Sequence, residues 1–189
     1  MRCIAITLPD FVPGEAAAIE ALLASGVLGR VHIRKPAASR EAIQRLIEAI
    51  DARWHNRLSL HDWHELASDY GCGVHLNGRH PLPPTGFSGT LSRSCHAVAE
   101  LSHGIDYQTL SPIFNSISKP GYDAAFDLAA LRGVVDDTCV ALGGVTPHRL
   151  PLLADVGFGG AAFVGYLWTG DINNKIRELY AAIHHTSAS

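Results

Sequence analysis

Three observations predict that this chain of 189 residues is a single (β/α)8 TIM barrel, one domain over 1–189. Eight short apolar runs alternate with stretches of helical period or turn-forming composition. Polar residues gather where those runs end, which is where a parallel barrel builds its site. Finally, three late runs stop abruptly at Gly, Ser or Lys: Leu110 leads to Ser116, Ser118 and Lys119, Val140 to Gly143 and Gly144, and Ala161 to Val164 and Gly165. Glycine lets backbone N–H groups approach an oxyanion, Ser adds hydroxyl donors and Lys adds a mobile charge, so these ends predict one phosphate site at the barrel rim. A doubly wound open sheet is the competing fold; the strand count and the polar ends all around the series favour the barrel.

Cys3 to Leu8 reads as the first strand, and Glu15 to Ser25 as a helix that Gly26 ends. Val31 to Arg34 is the second strand. Ser39 opens an amphipathic helix with Ile43, Leu46, Ile47 and Ile50 on one face, and Arg57 to His61 is the third strand. Asp62 is placed to cap a short helix after it. Gly73 to Asn77 is the fourth strand, but Pro81, Pro83 and Pro84 follow without helical period, so the fourth helix is expected to be missing or collapsed to a turn. Thr90 to Cys95, Ile105 to Ser111, Val140 to Gly144 and Ala161 to Leu167 complete the strands; His96 to Ser102, Phe126 to Val135, Thr146 to Val156 and Ile176 to His184 are the expected helices.

A net charge of -3 and 47% hydrophobic content give a chain able to bury a core, with no basic surface excess. No Lys/Arg cluster is interleaved with aromatics, which argues against nucleic acid as a partner and for a small ligand. Cys3, Cys72, Cys95 and Cys139 have no CxxC spacing and read as buried thiols of a reducing compartment. The apolar start is too short for a signal-peptide core, and Gly157 to Trp168 is far below a bilayer span. The expectation is a soluble, cytoplasmic protein without a membrane partner, with a homodimer through the outer helices left open.

Alternation along each strand puts His32 and Arg34 on one face, as it does Ser92, Ser94 and His96. His61, Asp62, His75, Asn77 and Lys35 also fall at strand ends. With these residues in order, the chain resembles the superfamily of thiamin phosphate synthases and TenI-type thiazole tautomerases from Val31 to about Trp168. The family's motifs are a Q-x-R-x-K strand end, an N-D pair, a G-V-H-L-G-Q-x-D strand, a G-x-S-x-H strand, a P-x-F-x-T-x-T-K loop, an I-G-G-I strand and a last phosphate-binding strand end.

The resemblance implies that Arg34 and Lys119 bind diphosphate, that Asp62 is the first magnesium carboxylate and that Ser94 lies near the pyrimidine. It also implies that Ser116, Ser118, Gly144, Val164 and Gly165 hold the thiazole phosphate. Four positions depart. His32 stands for the glutamine, Pro36 for the strand-two lysine with Lys35 beside it, His61 for the asparagine and His80 for the second magnesium carboxylate. A synthase joins hydroxymethylpyrimidine diphosphate to thiazole phosphate and releases diphosphate; it needs Mg2+, which a lone Asp62 would hold less well. A tautomerase needs no cofactor and shifts protons on a thiazole carboxylate phosphate. The Val31-His-Ile-Arg34 strand looks closer to that branch, but Pro112 stands where its catalytic histidine would be, so His32 or His61 would have to move the proton. A non-catalytic binder of thiazole or thiamin phosphate is a third reading.

Structural alternatives accompany these roles. His75 reads as a packed, hydrogen-bonded barrel residue, and Arg34 with Asp62 as a plain ion pair. His61, Asp62 and His64 lack a convincing third zinc ligand, since Asp62 serves equally as a helix cap. Gly143-Gly144 and Gly159-Gly160 would serve tight packing. Trp54 and Trp63 read as flank packing, while Tyr122 and Phe126 are placed to cover the mouth.

Overall fold

Eight parallel strands close into a barrel in chain order: β1 (Arg2–Ile6), β2 (Arg30–Ile33), β3 (Leu58–Leu60), β4 (Gly73–Leu76), β5 (Leu91–Cys95), β6 (Tyr107–Leu110), β7 (Cys139–Ala141) and β8 (Gly160–Phe163). The structure is a computed structural model that describes residues 1–115 and 124–186. β8 pairs back onto β1, with Cys3 opposite Ala161, and this closure leaves no free sheet edge. The open-sheet alternative is thereby excluded.

Period-two alternation sorts the strand residues into two cores. Outward residues such as Val31, Ile33, Leu58, Leu60, Ala141 and Phe163 meet the helices in the larger cluster. Ile4, Ile6, Tyr107, Val140 and Ala162 point inward and form the smaller one.

Among the described residues five α-helices surround the barrel: α1 (Glu15–Ala24), α2 (Arg40–Glu48), α3 (Glu65–Tyr70), α4 (Leu150–Val156) and α5 (Ile172–Thr186). Helix α2 shows why this sequence folds where it does. Ser39 Oγ accepts from the Ala42 amide at 3.3 Å, and Ile43, Leu46 and Ile47 are buried. A cap is worth about 1 kcal/mol, whereas each buried aliphatic side chain contributes about 1.5–3 kcal/mol, so packing holds the helix and the cap sets its start.

The expected helices between β4 and β7 are largely replaced by turns. After β4 the proline-rich segment carries no helix, as its composition predicts. His96 to Ser102 shrinks to one 3-10 turn at Val98–Glu100, because few residues separate β5 from β6. Phe126 to Val135 forms successive turns, not a helix: Asp127 Oδ1 takes the Ala129 amide at 3.0 Å, and Gly133 adopts φ 74°. Strand β8 stops at Phe163, four residues before its expected end, and the chain turns with Leu167 N–H on the Val164 carbonyl at 3.2 Å. At Gly159 a Cβ would lie 1.9 Å from the Asp137 carbonyl oxygen, so that glycine serves close packing. All four cysteines are free and buried. No helix among the described residues is long and apolar enough to cross a membrane.

Candidate active site

The barrel interior is divided by side-chain chemistry. Strands β1, β7 and β8 line one side with Ile4, Ile6, Val140 and Ala162, with Leu142 and Val164 packed toward the mouth. Strands β2 to β6 line the other with His32, Ser59, His75, Ser92 and Thr109, each at most 1% exposed, and with Tyr107. His61, just past β3, joins this polar side.

Hydrogen bonds knit the polar side together. His32 Nδ1 lies 3.0 Å from His61 Nε2, and His32 Nε2 lies 2.6 Å from the Tyr107 hydroxyl. His75 Nδ1 lies 2.8 Å from Ser92 Oγ and its Nε2 lies 2.9 Å from Ser94 Oγ. Ser92 donates its own hydroxyl proton to the Val74 carbonyl at 3.2 Å, so it accepts from His75 Nδ1–H, and the Nε2 lone pair of His75 faces Ser94. Burial is the main force keeping the three rings neutral. It pushes His32 and His61 well below the ordinary histidine range, aided by the neighbouring imidazoles, and pushes His75 down to about 3. Burial also raises the Tyr107 phenol.

At the rim, Thr7 Oγ1 accepts from the Arg34 amide at 2.9 Å and donates to its carbonyl at 3.4 Å, fixing the ends of β1 and β2 together. Arg34 is half-buried, and its guanidinium pairs with no carboxylate among the described residues. The alternative of a plain Arg34–Asp62 ion pair is not formed. Asp62 Oδ1 instead accepts from Arg79 Nη2 at 2.7 Å and Nε at 3.2 Å, with His80 Nε2 at 3.4 Å. Asp62 does not cap α3 either; His64 occupies that position without a side-chain cap. Asn77 organises the loop that delivers Arg79: its Oδ1 takes the Arg79 amide at 2.9 Å and its Nδ2 donates to the His61 carbonyl at 2.7 Å.

This donor set does not fit Mg2+. The ion takes several oxygen ligands in near-octahedral geometry. Here Asp62 Oδ1 is engaged by a guanidinium, the unpartnered Oδ2 offers a single oxygen, and the remaining neighbour is an imidazole, so the described residues fall short of such a set.

Lys35 also departs from expectation. The alternation that turns His32 and Arg34 inward turns Lys35 outward, where it is 1% exposed. Its Nζ donates to the Leu8 and Asp10 carbonyls at 2.8 and 2.7 Å and pairs with Glu15 at 2.6 Å. It therefore ties down the loop between β1 and α1 and stands away from the mouth.

On the opposite rim, β7 and β8 are neighbours, so Gly143, Gly144, Val164 and Gly165 follow adjacent strand ends. The chain after β6 lies against the first pair: Ile113 N–H meets the Leu142 carbonyl at 2.9 Å and Phe114 N–H the Gly143 carbonyl at 3.0 Å. Arg149 Nη1 donates to the Gly144 carbonyl at 2.9 Å, and its guanidinium stacks 4.1 Å from the centre of the Phe114 ring. Among the described residues the amides of Gly144 and Gly165 have no hydrogen-bond acceptor. Ser116, Ser118, Lys119 and Tyr122 lie outside the described residues; Phe126 packs against the larger core. Gly144 has φ 61°, and a Cβ there would sit 2.2 Å from the Asn115 carbonyl oxygen. Gly144→Ala is therefore expected to displace the segment leading to Ser116 and to raise KM for a phosphorylated ligand at least about tenfold, since a lost charge-assisted contact costs about 1.5–3 kcal/mol. Steady-state kinetics against that ligand check this.

Arg79, Tyr107, Thr7 and Arg149 were not marked by the sequence. Tyr107 begins its strand, and only the inward register of β6 reveals it. Arg79 reaches Asp62 across 17 positions, which no local spacing encodes.

Comparison with known proteins adds a family. The family described as thiamine monophosphate synthase matches residues 4–167. The thiamine-phosphate synthase of Rhodospirillum centenum is 29% identical over 185 residues, covering 88% of this chain and 89% of that protein. A crystal structure of thiamine phosphate pyrophosphorylase from Bacteroides thetaiotaomicron has a TM-score of 0.85 at 30% identity, covering 97% of this chain and 98% of that one. The thiamine phosphate pyrophosphorylase from Pyrococcus furiosus has a TM-score of 0.79 at 17% identity, over 98% and 96% of the two chains, and speaks for the fold alone.

Proposed function

Because the chain belongs to the thiamine monophosphate synthase family, we propose that it joins hydroxymethylpyrimidine diphosphate to thiazole phosphate and releases diphosphate. The family match across residues 4–167 carries this reading. The relatives bear synthase names, which weighs against the TenI-type tautomerase, and the proton-moving role of His32 and His61 goes with that disfavoured reading.

The barrel's two-sided lining supports a division of labour. Ile4, Ile6, Val140 and Leu142 would take the apolar faces of the heterocycles, while Ser94 and the histidine side would meet the polar pyrimidine edge. The amides of Gly144 and Gly165, without an acceptor among the described residues, with Gly143 and Val164 shaping the turn and Ser116 and Ser118 adding hydroxyls, would grip the thiazole phosphate. In the reaction the bond from the pyrimidine methylene to oxygen breaks, its electrons leave with diphosphate, and the thiazole nitrogen bonds to the methylene carbon. Arg34, Arg79 and Lys119 are assigned to the departing charge, and no step is routed through Mg2+. The same reading makes this a cytoplasmic enzyme of small phosphorylated metabolites.

Incubation with both substrates is expected to yield thiamin phosphate and diphosphate, while thiazole carboxylate phosphate alone stays unchanged. Isomerisation in the second mixture, or binding without product in the first, overturns the proposal. Arg79→Ala is expected to lower kcat/KM for the diphosphate substrate on the order of a hundredfold and to leave KM for thiazole phosphate within about twofold. Equal losses toward both substrates would remove Arg79 from the diphosphate side.

A further inference from the structure

We propose that His32, His61 and His75 form a binding site for a divalent transition-metal ion, with Zn2+ as its natural class, on the polar side of the barrel interior. The three side chains come from β2, from the residue that follows β3 and from β4, which are neighbours in the barrel. One ring nitrogen from each lies within 4.8 Å of one from each of the others. Ring centroids are 5.2 Å apart for His32 and His61, 4.8 Å for His32 and His75, and 4.2 Å for His61 and His75. The three rings thus make a cluster and not merely a row.

The surroundings prepare the rings as ligands. A metal-binding imidazole must be neutral and must carry its proton on the nitrogen away from the ion, held there by an outer hydrogen bond. Ser92 supplies this for His75: its hydroxyl proton goes to the Val74 carbonyl, so it takes His75 Nδ1–H and leaves Nε2 bare. Tyr107, 2.6 Å from His32 Nε2, supplies it for His32 and leaves Nδ1 toward His61. The His32 Nδ1 to His61 Nε2 separation of 3.0 Å is close to the roughly 3.3 Å edge of a tetrahedron built on Zn–N bonds of about 2.0–2.1 Å. An ion would replace the proton shared between these two nitrogens, and His75 Nε2 would exchange its contact with Ser94 for the ion to complete the set.

Chemistry selects the class of ion. Three imidazoles suit Zn2+, Co2+, Ni2+ or Cu2+ and not the hard cations Mg2+ or Ca2+. Three histidines leave a fourth position for hydroxide, which would offset part of the ion's charge. The site would cross-link three consecutive strands in the sector where α3 is short and no helix follows β4. This inference does not depend on the synthase reading, and its test is read without substrates.

The test uses the full chain, stripped with a chelator and reloaded with Zn2+ or Co2+. Expected are one ion per chain retained through gel filtration, the visible bands of tetrahedral Co2+, and a Tm higher by about 5–10 °C at metal concentrations near a hundred times Kd. X-ray absorption on the unmutated Zn2+ protein is expected to count three imidazole nitrogens, which decides the point even if variants fail to fold. His61→Gln and His75→Gln should lose the ion, while His148→Ala, an exposed histidine, should keep it. No retained ion, fewer than three imidazoles, or equal retention by the folded His61→Gln and His75→Gln proteins would overturn the assignment.

Discussion

Lys35→Met is expected to lower the free energy of unfolding by about 3–5 kcal/mol, which is the cost of removing one partner from a buried ion pair. The side chains of Lys35 and Glu15 are 0% and 3% exposed and their charges meet at 2.6 Å. Removing the ammonium leaves the Glu15 carboxylate sealed without a countercharge, and its Oε2 already lacks a partner. It also strips the Leu8 and Asp10 carbonyls of a charged donor. The double substitution Lys35→Met with Glu15→Leu should recover part of the loss, because two apolar side chains replace two charges, but the two carbonyls remain without that donor. Urea unfolding of the three proteins reads this directly. Equal stability of Lys35→Met and the parent chain would mean that the β1–α1 loop is held by other contacts.

Lys35 also shows what kind of information the sequence carried. The eight strands were legible because the strand residues that meet the helices are apolar and turn-forming residues bound each run, and the inward facing of His32 followed from period-two alternation alone. That alternation turns Lys35 away from the mouth, and a reading by position at the strand end hides it. Phe126 to Val135 looked helical because Leu128, Leu131 and Val135 recur at helical spacing, yet Asp127 and Gly133 impose turns that the apolar spacing does not report. The site was legible in proportion to its dependence on strand ends. The partnership of Asp62 with Arg79 and His80 depends on where a proline-rich loop folds back, and no local pattern states that.

The three interior histidines set the second large effect, a loss of stability in mild acid by the metal-free protein. His75 falls to about 3 in the folded chain against 6.5 for an ordinary histidine. Between those values the unfolded chain binds a proton that the native chain refuses, so unfolding free energy rises with pH throughout that window. The contribution is complete above pH 6.5 and is lost progressively toward pH 3, with a slope of about 1.4 kcal/mol per pH unit for this ring alone. His32 and His61 are displaced in the same direction by the same burial, so they add to this slope. Against net stabilities of about 5–15 kcal/mol, a loss of this size is expected to bring on acid unfolding earlier than in a chain without buried neutral histidines. Circular dichroism from pH 8 downward, with chelator present, measures it. His75→Gln removes one titrating ring, so its stability should fall less steeply between pH 6.5 and 4.5 even if it starts lower. The same slope in parent and variant would place the acid sensitivity outside the interior histidines.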